Sequence, residues 1–149
     1  MIIGGGVSGL SIACQLAQAG LSVTVLEASH LGASASTRNQ GWLHSGGWFA
    51  PDHHELARMC LDSLTQTVKF CPECIEPADR RMAYLFSNPD TDVSRWTSAW
   101  QSIGIDHSPL SRRELAESLP KLETTAVQHA FLLPDRAMRP DLLVMCLAE

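Results

Sequence analysis

The chain has 149 residues, 45% of them hydrophobic and 18% charged, with a formal net charge of -5. This is the length of about one domain at ~100–200 residues each, and the composition is that of an ordinary globular protein, not a disordered or fibrous one. The charge is spread without long runs and offers no basic footprint for nucleic acid, no apolar stretch approaches the ~20 residues of a membrane-spanning helix, and the start lacks the basic region and cleavage site of a signal peptide.

A cytoplasmic location is therefore the expectation. Five cysteines, Cys14, Cys60, Cys71, Cys74 and Cys146, are an odd number at irregular spacing. They do not read as a disulfide framework, which fits a reducing compartment.

The first elements form a β-α-β unit. Ile2 and Ile3 make a short apolar strand, and a helix over about Ser8–Ala19 follows, with Ile12, Ala13, Leu16 and Ala17 on one face. Gly20 supplies a left-handed stop. Leu21–Leu26 is then a buried strand rich in β-branched residues, parallel to the first with a right-handed crossover.

Between the first strand and the helix stands Gly4-x-Gly6-x-x-Gly9. The first glycine makes the tight turn, the second lets backbone approach a pyrophosphate, and the third lets helix and sheet pack closely. The helix N-terminus presents unpaired N–H groups and a positive dipole end to phosphate. Glu27, at the end of the second strand, is where a carboxylate can accept from ribose hydroxyls. Together these predict dinucleotide binding, and Glu27 argues against a 2′-phosphorylated ligand.

From Ser29 to Pro51 periodicity disappears. The small, polar stretch Gly32–Gly41 leads into Trp42-Leu43-His44-Ser45-Gly46-Gly47-Trp48-Phe49. A plain NAD domain would proceed promptly to another helix, whereas this loop suits an extended cofactor such as FAD. A helix over about Asp52–Phe70 follows, its apolar stripe being Leu56, Cys60, Leu64 and Val68. Met82–Phe86 reads as a strand, Thr91–Ile103 and Ser111–Leu119 as helices, the latter with a Ser111/Glu114 capping box. Ala130–Leu133 is a weaker strand, and Pro140 opens a last helix. The short first strand and the apolar residues running up to Glu149 give the expectation of an incomplete fold.

Ile3–Leu10, Val25–Ala28 and Ser34–Gly47 together resemble the D-amino-acid oxidase and glycerol-3-phosphate dehydrogenase superfamily of FAD-dependent oxidoreductases. Gly20–Gly47 is most similar to the glycerol-3-phosphate dehydrogenase branch, and Leu133–Leu143 resembles the segment before such chains return to the FAD domain. The resemblance implies an α/β Rossmann-type FAD fold over residues 1–51, with residues 52–149 beginning an inserted α+β substrate domain. It implies the N-terminal portion of an enzyme that removes hydride from a C–H next to an amine or hydroxyl. Amino acids, amines, glycerol phosphate and 2-hydroxy acids are the substrate classes left open, and the electron acceptor is open too. Trp42, Trp48 and the Arg38-Asn39-Gln40 run depart from the glycerol-3-phosphate dehydrogenase pattern. An NAD-dependent dehydrogenase fragment and a non-catalytic truncated remnant are the competing readings.

In the family's pattern Gly4, Gly6 and Gly9 face the pyrophosphate and Glu27 the adenosine ribose, with Gly5, Val7, Ser8 and Ala28 beside them as further cofactor-binding residues. Ser36, Thr37, Arg38, Asn39, Gly41, Trp42, Leu43 and His44 run beside the phosphates and flavin. His44 is either an acid–base group or a structural histidine bonded to its own loop. Arg38 either steadies the pyrophosphate or is simply solvated. Cys71-Pro72-Glu73-Cys74 is half a zinc site with no second pair. It follows a helix C-terminus, whose dipole disfavours thiolate. Incidental or locally structural cysteines, and no metal, are expected there.

Overall fold

A computed structural model describes residues 1–76 and 81–149. The chain divides into two compact units. One comprises Met1–Trp42, Val68–Pro77 and Ala137–Glu149, the other Leu43–Thr67 and Ala78–Arg136. The fold is mixed α/β, with one parallel and one antiparallel sheet among the described residues.

In the first unit β1 (Ile2–Ile3) pairs in parallel with β2 (Val25–Leu26), Ile2 opposite Val25 and Ile3 opposite Leu26. The expected Leu21–Leu26 strand is thus realised only over its last two residues, because a ladder can be no longer than its partner. α1 (Val7–Gln18) joins the two strands. It ends as its sequence requires: Gly20 takes φ +82°, and Leu21 N–H bonds back to Leu16 O at 3.1 Å. A parallel sheet is ordinarily covered on both faces, yet here Ile3 is 83% exposed and Ile12 51%. Leu10 is the buried residue of α1.

α2 (His54–Phe70) is a 17-residue helix whose face differs from the expected stripe. Ala57 and Leu64 are buried, while Leu56 is 43% exposed. The reason is a close approach: a Cβ on Gly46 would come within 2.6 Å of Ala57 Cα. Backbone lying directly on the helix selects the small residue at 57 and turns Leu56 outward.

The antiparallel sheet has the order β3 (Trp42–Leu43), β6 (His129–Ala137), β4 (Arg81–Phe86), and β5 (Ser108–Pro109) also pairs with β6. The weak Ala130–Leu133 strand is therefore the nine-residue central one. Pro134 made it look short, since proline cannot donate to a ladder. The structure accommodates it in a bulge: Met82 pairs with Leu133 but Arg81 with Arg136, which leaves Pro134 and Asp135 without partners on β4. β5 carried no sequence signal of its own.

α3 (Val93–Ile103) is capped by Asp92 and stopped by Gly104 at φ +88°. α4 (Arg112–Ser118) has the expected Ser111/Glu114 capping box. Trp100, Tyr84, Phe86, Ile105 and Leu133 form the core of the second unit, with Trp96 and Phe131 packed against it. Trp100 is fully buried, and its Nε1 donates to Gly47 O at 2.8 Å, so the indole's polar handle is satisfied while its rings fill the core. α5 (Pro140–Ala148) opens on Pro140 as expected and packs on α1.

Candidate cofactor site

The glycine turn is built from contacts that larger residues would prevent. Gly4 takes φ +104°, and a Cβ on Gly9 would lie 2.1 Å from Gly4 O. Only hydrogen fits there, so α1 starts directly beneath the turn. The first N–H groups of a helix have no intrahelical acceptor. Leu10 N–H makes the first bond back, to Gly6 O at 3.0 Å.

Ser36 from the long loop folds over this helix end, its Oγ accepting from Val7 N–H at 3.0 Å. Glu27 comes to the same turn from β2. Its Oε2 accepts from Gly5 N–H at 2.7 Å and its Oε1 from Ser29 N–H at 2.9 Å. These backbone bonds, Gly5's first and Ser29's second, hold the Glu27 carboxyl below the usual carboxylate range. The contribution is present above the ordinary value of 4.5 and is lost as pH falls through the lowered one. Glu27 thus ties the second strand to the turn, a structural role that spacing alone did not reveal.

The Ser-rich loop is ordered by its own side chains. Thr37 Oγ1 donates to Gly32 O at 2.6 Å. Asn39 Nδ2 donates to Ser36 O at 3.1 Å, and Asn39 Oδ1 accepts from Gly41 N–H at 2.8 Å. Met138 N–H then closes on Gly41 O at 2.8 Å. Ala28 and Arg38 are exposed. Val7, Ser8, Ser36, Asn39 and Trp42 line a cavity of about 400 Å³ with residues from the start of α5. A pyrophosphate fits this chemistry: helix-end N–H donors, a serine hydroxyl, and glycines that leave backbone bare.

In the second unit, Leu43 precedes a buried polar cluster that sequence reading missed. Asp135 is 0% exposed. Its Oδ1 lies 3.1 Å from His44 Nδ1 and accepts from Tyr84 OH at 3.3 Å, while its Oδ2 accepts from Ser45 Oγ at 2.6 Å. The β6 bulge places it there. Accepting from Nδ1 sets the His44 tautomer, leaving Nε2 the basic nitrogen of the neutral ring. Burial, and then the Asp135 charge, push the Tyr84 phenol well above its ordinary range, so it stays a donor. His44, Trp48, Phe49, Met82 and Tyr84 line a mainly apolar cavity of about 330 Å³. The available signal was Pro134-Asp135 interrupting an apolar strand.

The Cys-x-x-Cys pair follows the C-terminus of α2, where the sequence puts it. Cys71 and Cys74 are fully buried in the turn around Pro72–Cys74, and Cys146 of α5 joins them, its Sγ donating to Glu73 Oε1 at 3.0 Å. That hydrogen bond, before any other cause, pushes the Cys146 thiol up to about 12.

Comparison with known proteins decides the family. The family model described as FAD dependent oxidoreductase, DAO, matches residues 1–149. The chain belongs to the DAO family of FAD-dependent oxidoreductases. Among curated DAO-like relatives, the anaerobic glycerol-3-phosphate dehydrogenase subunit A1 of Haloferax volcanii is 29% identical over 140 residues, 94% of this chain and 24% of its own. Gamma-glutamylputrescine oxidoreductase of Escherichia coli K12 is 57% identical over 42 residues, 28% of this chain and 10% of its own. The crystal structure of glycine oxidase from Geobacillus kaustophilus superposes with a TM-score of 0.71 at 26% identity, covering 99% of this chain and 42% of that one. The chain spans about a quarter of the length of the glycerol-3-phosphate dehydrogenase subunits it matches. FAD is the cofactor of this DAO family, and among the described residues no helix is long and apolar enough to cross a membrane.

Proposed function

We propose that the chain is the N-terminal portion of an FAD-dependent oxidoreductase that removes hydride from a C–H next to an amine or hydroxyl of a small molecule. One observation carries this reading: the Gly4–Gly9 turn, with Glu27 and Ser36 both closing on the N-terminal end of α1. In this reading residues 1–51 are the cofactor segment and 52–149 lead into the substrate domain, and the protein acts in the cytoplasm.

Gly4–Gly9 and Ser36 take the pyrophosphate, and Glu27 with Ala28 the adenosine ribose. Thr37 and Asn39 hold the loop in shape, Arg38 offers its guanidinium toward phosphate, and Gly41, Trp42, Leu43 and His44 are the remaining residues assigned to the cofactor. Bound FAD supplies the hydride acceptor. His44 holds or moves a proton at Nε2, with Asp135 fixing its tautomer. Similarity to both amine- and glycerol-phosphate-named relatives keeps both substrate classes within the proposal.

Glu27→Arg tests the ribose role. In protein expressed from the full reading frame, FAD affinity should fall on the order of tenfold or more, since a charge-assisted acceptor is lost. In the wild type, retention should weaken as pH falls through the Glu27 value, which lies below the ordinary 4.5. Equal FAD content in Glu27→Arg after dialysis would remove Glu27 from the site.

A further inference from the structure

Cys71 and Cys74 lie in one tight turn, and α5 brings Cys146 to them from the far end of the chain. The donor atoms of Cys71, Glu73 and Cys146 all lie within 4.8 Å of one another. Cys71 Sγ donates to Leu142 O of α5 at 3.9 Å, and Cys74 is as fully buried as Cys71. Two buried thiols, a half-buried thiol and an exposed carboxylate therefore converge from two elements of the same unit.

We propose that Cys71, Glu73 and Cys146 form a binding site for a thiophilic divalent metal ion, zinc being the best match.

The donor set makes the choice of ion. Thiolates select zinc and its soft neighbours over magnesium or calcium, which take oxygen ligands. Tetrahedral zinc with Zn–S bonds of ~2.3 Å and Zn–O bonds of ~2.0–2.2 Å needs its donors at about the spacing found here. Burial of Cys71 and Cys74 closes one side of the site, and water completes the tetrahedron around three protein donors. The ion would clamp the turn after α2 to α5, joining segments far apart in sequence. Such a clamp adds stability only in the folded state, because the unfolded chain has no preformed site. The proposal is independent of the cofactor reading.

The test uses the protein expressed from its full reading frame, reduced, stripped of metal, mixed with Zn²⁺ or Co²⁺ and desalted. About one ion per chain should be retained, and the Co²⁺ form should show thiolate charge-transfer absorption. Cys71→Ser/Cys146→Ser should cut retention at least about tenfold, the effect expected when two of the three protein ligands are lost. Cys14→Ser, outside the cluster, should match the wild type. Glu73→Gln alters an exposed residue and leaves the buried thiols in place, so it reports on binding even if the double variant folds poorly, and it should also lower retention. Wild-type protein that retains neither ion would overturn the site. So would retention at the wild-type level in both Glu73→Gln and the double variant.

Discussion

Gly9→Ala is expected to strip the protein of FAD. The new Cβ would stand 2.1 Å from Gly4 O, and that neighbour is backbone, which cannot swing aside as a side-chain tip can. Either α1 moves away from β1 or the turn opens, and both displace the N–H groups proposed to meet the pyrophosphate. A hydrogen bond to a charged group contributes ~1.5–3 kcal/mol. Losing two lowers affinity by roughly two to four orders of magnitude. Equilibrium dialysis with flavin fluorescence measures this directly. Full FAD occupancy in Gly9→Ala would mean the turn is not where the cofactor binds.

The second large effect is expected at Asp135. Asp135→Ala leaves the buried Ser45 hydroxyl, the buried Tyr84 phenol and His44 Nδ1 without their common acceptor. Each buried donor left without its acceptor costs about 1–3 kcal/mol, so with Ser45 and Tyr84 both stranded chemical denaturation should show a loss of roughly 2–6 kcal/mol. Asp135→Asn keeps the volume and separates positioning from folding. Its amide cannot serve all three donors, and the histidine loses its fixed tautomer. Flavin reduction by substrate should slow roughly 10²–10⁴-fold, as when other His–Asp pairs lose the acid, with KM little changed. Tyr84→Phe removes one donor without touching His44 and should leave turnover nearly intact. A normal rate in Asp135→Asn would reduce the cluster to a structural one.

The first β-α-β unit was legible because its constraints are local. Gly9 must be glycine for contacts a few residues away, Gly20 for the helix stop, and Ser111 and Glu114 cap a helix within one turn. What sequence reading missed depends on distance along the chain. Leu56 points outward because Gly46 lies against Ala57. Asp135 is buried because a bulge, itself imposed by Pro134, aims it at Ser45 and His44. Cys146 meets Cys71 only through the packing of α5, and no spacing rule connects them. The family resemblance carried the cofactor assignment over the same region where local geometry was strongest.

The central claim is that the Gly4–Gly9 turn, Glu27 and the Ser36 loop bind the ADP half of FAD. The most direct measurement is the visible spectrum and flavin-to-protein ratio of protein purified from its full reading frame, alongside Gly9→Ala. The account predicts a yellow wild-type protein carrying about one FAD per chain, as a single dinucleotide site requires, and a colourless variant that remains folded. A colourless wild type that takes up NAD but not FAD, or FAD held equally by both proteins, would contradict it.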